Sequence, residues 1–497
     1  MNLATAFASA AQIHAGKAAI FWGDQEFTYD LLLAQTRRLA AWLQSELGVK
    51  SGDRVGLWLK NCPEFIPALF GILQAGGVVV PINNFLKPDE VHHILQDAGI
   101  NAVISDHTMT EGLNAVKALH PGLTVWMVED LSKLSERNEA GSGPGISNRE
   151  LPAAGDLAVI IYTSGTTGRS KGAMLTHGNL LHNVDSCRQV LAAVDHDRFV
   201  VLLPMFHSFM LTVGVLLPLT VGGSLVLVRS LHPPKAVIQE IYQRQATILP
   251  AVPSFFRTLA GAQMPPGLPL RICISGGAPL PLEILHEFNR HMPIHLIEGY
   301  GLSEASPVVS LNPIAGPWKD GSIGVPIPGV EITIQDDDGK HLPSGATGEV
   351  CVRGGNVMHG YRNQPEATAK ALRGGWLLTG DLGHQDADGY FYITDRKKDM
   401  LIVNGINVYP REIEEVIYQI PGVKEAAVVG IPDPRRGEHA VAFVAAKDGM
   451  MLEEKNILHF IRQKLADYKV PKKVTFMPAL PRNATGKVLK TELRKQA

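Results

Sequence analysis

Tyr162 to Gly172 reads YTSGTTGRSKG and combines Gly165, Gly168 and Gly172 with the hydroxyls of Thr163, Ser164, Thr166 and Thr167 and the ammonium of Lys171. Glycine frees backbone N–H groups to surround phosphate oxygens, hydroxyls add donors, and a lysine supplies countercharge. The spacing is not that of the G-x-x-x-x-G-K phosphate loop. An apolar run, LAVIIY, precedes the segment, and KGAMLTH follows it as a strand before a helix that begins near Asn179. A mobile Gly/Ser/Thr linker is the plain alternative, yet a linker needs neither an ordered lysine nor a flanking strand. By itself the segment points only to phosphate.

Other groups capable of chemistry stand where apolar runs stop. RFVVLLPMFHS, ATILPAVPS, LRICISGGAPLP and IHLIEGYGLSE read as buried strands that end in polar or glycine-rich turns. This places His207, Ser254, Ser275 to Ala278 and Glu298 to Glu304 just beyond carboxyl ends of strands, where open α/β sheets hold ligands. Each has a bland reading too. Tyr300 is as easily core, Glu304 an exposed helix-start glutamate, Asp381 and Arg396 a surface ion pair, and Lys487 a solvated lysine.

The elements that must position these groups follow a regular grammar. Pro63 to Pro81 reads as an amphipathic helix, PEFIPALFGILQA, a Gly76-Gly77 stop, and a β-branched strand from Val78 to Ile82. Pro88-Asp-Glu opens a further helix, and NAVISD from Asn101 supplies another strand. Such alternation predicts doubly wound parallel sheets. From Val330 the period becomes two, through VEITIQ, GEVCVRG, WLLTGD and YFYITD, which predicts a small antiparallel barrel or sheet over about 322–395. Its DDDG and DADG turns lack the remaining ligand positions of a calcium loop and read as β-turns. KEAAVVGIPD, HAVAFVAAK, a helix around ILHFIRQKLADY and KVTFMP then form a separate α+β unit, so the division is 1–395 and 396–497. RNEAGSGPGISNRELPAAGD, 137–156, reads as a surface loop.

Bulk properties narrow the function classes. The 497 residues exceed one hydrophobic core, and a formal net charge of −2 with 45% apolar and 19% charged residues gives no sign of wholesale disorder, a nucleic-acid surface or an acidic tail. Cys62, Cys187, Cys273 and Cys351 lie far apart, against a zinc site or a disulfide scaffold, and a reducing cytoplasm is the natural location. The N-terminus lacks a basic leader and a sustained apolar core, so it does not read as a signal peptide. Arg198 to Arg229 encloses no Lys, Arg, Asp or Glu and is long enough to cross a bilayer, but Pro204, His207, Pro218 and Gly222-Gly223 break it into strand, helix and strand lengths.

Taken together, YTSGTTGRSKG at 162, SGGAPLP at 275, EGYGLSE at 298, TGD at 379, DRKKD at 395 and PRNATGK at 481 resemble, in order, the motifs of the adenylate-forming superfamily of acyl-CoA synthetases, nonribosomal-peptide adenylation domains and firefly-type luciferases. That resemblance implies an ATP- and CoA-using ligase with a large N-terminal domain and a small mobile C-terminal domain. It implies ATP/AMP contacts from Thr163 to Gly168, Lys171, Gly276, Gly277, Ala278, Pro279, Glu298, Gly299, Tyr300, Gly301, Ser303, Asp381, Arg396 and Lys487. Ser303 stands where many members carry threonine and keeps the hydroxyl. Asp381 resembles the acceptor of both ribose hydroxyls, Thr163 and Glu304 the magnesium ligands, and Lys398 the hinge. Lys487 resembles the lysine that binds the reacting carboxylate and the α-phosphate; Gly405 and Lys472 fall on the CoA path, Lys472 the weaker of the two.

In PMFHSF, His207 resembles the aromatic gate of acyl-CoA synthetases and begins an acyl pocket with Phe209, Met210, Gly214 and Val308; with Glu304 and Lys487 it makes the catalytic set. PMFHSF carries no aspartate to pair an α-ammonium, which disfavours amino acids, and Gly214 is expected to leave room for a chain. A medium- or long-chain fatty acid is the expected substrate. An aryl-acid CoA ligase and an enzyme loading a carrier protein are the alternatives, and a membrane or lipid-binding protein is the distant one. A peripheral membrane contact and a homodimer stay open, and the partners are otherwise a carboxylic acid, ATP and CoA.

Overall fold

Continuous β-branched runs flanked by glycine turns become buried parallel strands. The structure is a computed structural model describing residues 1–131, 152–163, 169–231, 233–262, 264–483 and 486–497. The loop expected at 137–156 falls mostly outside these residues, as do 164–168 of the phosphate segment.

Among the described residues two sheets carry the large lobe. In the nine-stranded sheet, Leu296–Gly301, Ile272–Ser275, Ile248–Ala251, Arg198–Val201, Ser224–Leu227 and Ala18–Trp22 run parallel in that spatial order, with antiparallel strands at both edges. Its carboxyl ends deliver the groups at 207, 275–279 and 298–304 to one rim, as expected for an open sheet. The seven-stranded sheet is parallel through Leu157–Thr163, Val78–Pro81, Arg54–Trp58, Ala102–Ser105 and Thr124–Met127. Lys171–Thr176 then returns antiparallel to Leu157–Thr163, pairing Thr163 with Lys171. The glycine-rich segment therefore follows one strand of an antiparallel pair and precedes the other, whose facing ends are Thr163 and Lys171.

The helix Phe65–Gln74 differs from expectation, because Phe65 through Leu73 are all buried. It is not amphipathic. Its neighbours supply the reason: the helices Leu3–Ile13 and Tyr29–Ser45 pack on it, and the Phe7 and Phe70 rings stack with centroids 4.1 Å apart. A helix that is apolar all round is stable only when enclosed.

The segment Arg198–Arg229 divides as its breakers indicate, into the strand Arg198–Val201, a π-helix over Met210–Leu216, the helix Leu217–Val221 and the strand Ser224–Leu227. Among the described residues no helix is long and apolar enough to cross a membrane. The period-two region forms a five-stranded antiparallel sheet in which Trp376–Gln385 pairs with both Gly348–Gly354 and Phe391–Arg396. A last five-stranded sheet, built on the long hairpin Val423–Asp433 and Gly437–Ala446, is backed by the helices Pro410–Tyr418 and Glu454–Lys464.

His177 opens the helix His177–Val190 and is fully buried. Its Nδ1 accepts the Leu3 N–H at 3.2 Å and its Nε2 has no partner. Burial holds its pKa down to about 4, with Asp156 opposing. Because the unfolded chain takes up this proton near pH 6.5 and the folded chain does not until about 4, stability falls as pH drops through that window. We expect His177→Gln to flatten the decline in thermal stability between pH 6.5 and 4.5, by roughly 1 kcal/mol per pH unit. An unchanged slope in the variant contradicts this account.

Candidate active site

The site lies on the rim where the large lobe faces the last sheet. The strand Trp376–Gln385 carries Asp381, which is 3% exposed, and register pairs it with Arg396 at the end of Phe391–Arg396. Arg396 Nε donates to Asp381 Oδ1 at 2.8 Å, and Tyr300 Oη donates to Asp381 Oδ2 at 2.5 Å. A carboxylate held from both sides is fixed in direction before any ligand arrives, and a ligand hydroxyl that reaches it must share or displace these donors.

Two walls meet beside this carboxylate. Ser275 ends one strand, and the turn that follows uses Gly276 and Gly277, the latter at φ +77°. A Cβ at Gly276 would sit 3.2 Å from the Phe209 ring, so the aromatic side chain occupies the space a larger residue needs. The other wall is Glu298 to Gly301. The Glu298 carboxyl does not project as a free acceptor; its Oε1 accepts the Leu280 N–H at 3.1 Å and ties the two walls together. Burial pushes its pKa up to about 7. Gly301 is held tightly, since a Cβ there would come within 2.2 Å of the Pro307 carbonyl oxygen.

Lys487 reaches this place from the small lobe. Its loop is closed by hydrogen bonds between Asn483 N and Lys487 O and between Lys487 N and Asn483 Oδ1, both 2.9 Å, and Gly486 packs against Val252 of the large lobe. The side chain is water-accessible yet stands in a crevice crowded by protein. Loss of solvation, with the Arg396 guanidinium adding to it, lowers its pKa to about 8. The Asp381 carboxylate opposes that shift and keeps the ammonium available near neutral pH. Burial and then the Lys487 charge hold the His207 pKa down to about 4. His207 is accordingly a neutral ring, and the fixed positive charge comes from Lys487 and Arg396.

His207 and Phe209 meet Leu203, Pro204, Val252 and Gly277 around a closed crevice that, in this arrangement, leaves no enclosed space for even a water molecule. No charged side chain contributes to this lining. Met210, Gly214 and Val308 are not part of it. The room expected above Gly214 is filled, because a Cβ there would lie 2.0 Å from the Met210 sulfur. That expectation is corrected: in a π-helix the Met210 side chain lies over Gly214 and closes the space.

Glu304 hydrogen-bonds to Tyr361 and its backbone carbonyl accepts the Met358 N–H. Ser303 Oγ lies 3.0 Å from Ser208 Oγ, joining the Glu304 turn to the His207 loop. Among the described residues no cluster of His, Cys, Asp and Glu could hold a metal, so Thr163 and Glu304 would hold a magnesium ion only as minor protein donors. One carboxylate and one hydroxyl suit a hard ion that takes its other ligands from phosphates and water.

Some expected positions are not brought to the site. Gly405, at φ +79°, forms the exposed tip of the hairpin Leu401–Val403/Ile406–Val408, with nothing within 4 Å of where its Cβ would be. Lys472 is exposed and ion-paired with Asp433. Lys398 lies in the turn following the strand Phe391–Arg396. Conversely, Val252 and Tyr361 reach the site without having been singled out. Val252 was legible as the residue beyond the strand end in ATILPAVPS; Tyr361 belongs to HGYRNQPEAT, whose polar character gave no signal.

The family described as AMP-binding enzyme matches residues 7–362, and that described as AMP-binding enzyme C-terminal domain matches residues 412–487. The chain is 36% identical over 507 residues to a long-chain-fatty-acid–CoA ligase of Escherichia coli O6:H1, covering 95% of this chain and 90% of the relative. It is 38% identical over 486 residues to a feruloyl-CoA synthase of an Amycolatopsis species, covering 96% and 95%. ATP-bound MatB from Rhodopseudomonas palustris superposes with a TM-score of 0.90 at 34% identity, covering 100% of this chain and 99% of that one.

Proposed function

We propose, from the premise that this chain belongs to the AMP-binding enzyme family, that it joins an apolar carboxylic acid to CoA at the expense of ATP. An acid–thiol ligase activity agrees with both relatives. The observation that carries the two-step reading is Lys487, whose loop packs on Val252 of the large lobe and whose ammonium feels the charges of Arg396 and Asp381 and in turn acts on His207.

In the first step a carboxylate oxygen attacks the α-phosphorus of ATP, the bond to the bridging oxygen breaks, and pyrophosphate leaves. Two anions must meet, so fixed positive charge is needed where negative charge builds, and Lys487 and Arg396 supply it. Asp381 holds the ribose, the walls at 276–279 and 298–301 hold the base, and Lys171 with the segment from Thr163 receives the leaving pyrophosphate. Magnesium, when bound near Thr163 and Glu304, supplies neutralisation of the triphosphate. In the second step the thiol sulfur of CoA attacks the acyl carbonyl, AMP leaves, and the thiol proton passes to solvent. The Lys487 loop packs on the large lobe while Gly405 stands at an exposed hairpin tip, which supports the reading, carried by the family resemblance, that the small lobe, 396–497, turns about Lys398 between the steps. Gly405 then borders the thiol path, with Lys472 near the CoA phosphates.

The acid is a medium- or long-chain fatty acid on the strength of the uncharged lining around His207 and Phe209 and of the fatty-acid–CoA ligase relative. An aryl acid is the second reading, favoured by the feruloyl-CoA synthase relative and by the Met210 side chain closing over Gly214. AMP release in the presence of CoA, measured over octanoate, palmitate and a phenylpropenoate, decides between them. Higher kcat/KM on the fatty acids is the expected result; turnover confined to the phenylpropenoate contradicts it.

A further inference from the structure

The short strand Gly360–Tyr361 is the outermost strand of the seven-stranded sheet and pairs antiparallel with Lys171–Thr176, the strand that leaves the phosphate segment. Tyr361 stands opposite Ala173, and the neighbouring contacts Arg362 N to Gly172 O at 2.8 Å and His359 N to Met174 O at 2.9 Å fasten the same edge. The backbone of Tyr361 is fixed in turn by Thr368 Oγ1, which accepts its N–H at 2.9 Å from the helix Pro365–Ala371.

From this fixed position the side chain touches two groups that come from different parts of the chain. Its hydroxyl donates to Glu304 Oε1 at 2.8 Å. Its ring lies under Lys171, with Nζ 5.2 Å from the ring centroid. Met358 N also donates to the Glu304 carbonyl at 2.8 Å, so the segment before Tyr361 holds the glutamate backbone while Tyr361 holds its carboxylate. Among the described residues Glu304 Oε2 has no hydrogen-bond partner. One oxygen is thus anchored and the other left for a ligand.

We propose that Tyr361 is a positioning residue for the triphosphate: its hydroxyl presets the Glu304 carboxylate and its ring presets the Lys171 ammonium. The inference rests on reading Glu304 and Lys171 as the polyphosphate end of an ATP site. A glutamate on a three-residue turn and a lysine at the base of a glycine-rich hairpin each carry several free rotamers. Ordering those rotamers only when ATP arrives lowers affinity, whereas a shared aromatic anchor orders them beforehand. The division of labour is specific. The hydroxyl serves the metal-facing carboxylate and the ring serves the phosphate-facing ammonium through its π face.

The test is ATP binding by calorimetry without acid substrate, with excess magnesium and again with the metal chelated. Wild-type protein should bind ATP more tightly with magnesium. Tyr361→Phe keeps the ring and the strand pairing; it should lose about tenfold of the magnesium-dependent gain and leave metal-free affinity unchanged. Tyr361→Leu removes ring and hydroxyl and should weaken metal-free binding too, with melting temperature reported for both variants. In a Glu304→Gln background, Tyr361→Phe should add nothing. The proposal is overturned if Tyr361→Phe leaves the magnesium-dependent gain intact, or weakens binding equally with and without Glu304. If wild-type protein itself binds ATP no better with magnesium, the reading of Glu304 falls and the inference with it.

Discussion

Lys487→Ala lowers acid-dependent exchange of pyrophosphate into ATP at least about a hundredfold, while thioester formation from supplied acyl-adenylate keeps its rate. The asymmetry follows from what each step needs. Attack of one anion on another requires a cation at the place where charge builds, and His207, held neutral by a pKa of about 4, does not replace it. The second step sets a thiol against an already activated carbonyl and has no such need. Equal loss of both steps contradicts the role. A pH dependence accompanies it: with the lysine pKa lowered to about 8, adenylation declines as pH rises through 8 and the ammonium is lost. The alanine variant should lack that limb.

Asp381→Ala is expected to lower kcat/KM for ATP by more than about a hundredfold and to cost roughly 3 kcal/mol of stability. Both effects come from one geometry. The carboxylate is buried, and its removal strands the Arg396 guanidinium and the Tyr300 hydroxyl without their acceptor. Asp381→Asn keeps the shape and one acceptor oxygen, so it should recover much of the stability but little of the ATP affinity, because the amide nitrogen faces a donor. Calorimetric unfolding and initial rates against ATP concentration separate the two effects. A variant with normal affinity for ATP contradicts the ribose assignment.

Much of this arrangement is legible in the chain because local rules and global packing agree. VVVP, ICIS and LIEGYG announce buried strands by composition; the first lies in the seven-stranded sheet, and the other two end side by side at the rim of the nine-stranded sheet. The phosphate segment is harder to read, since glycine, serine and threonine also make linkers. Its flanking strands decide, and their pairing of Thr163 with Lys171 shows why the lysine sits at the base of the hairpin. Helix Phe65–Gln74 was misread because its polar ends resemble one solvated face, while enclosure by Leu3–Ile13 and Tyr29–Ser45 depends on contacts distant in sequence. The space at Gly214 was misread for a related reason. Glycine marks room only if no neighbour leans into it, and the π-helix lays Met210 over that position. Tyr361 went unnoticed because an aromatic in a polar loop carries no period; only pairing at the sheet edge brings it to Glu304 and Lys171.

The most direct test of adenylation is isotope exchange between labelled pyrophosphate and ATP in the absence of CoA, followed with and without a fatty acid. Exchange that requires the acid and not CoA is the predicted result, with acyl-adenylate detectable by mass spectrometry. No acid-dependent exchange, or formation of ADP and phosphate in place of AMP and pyrophosphate, contradicts it.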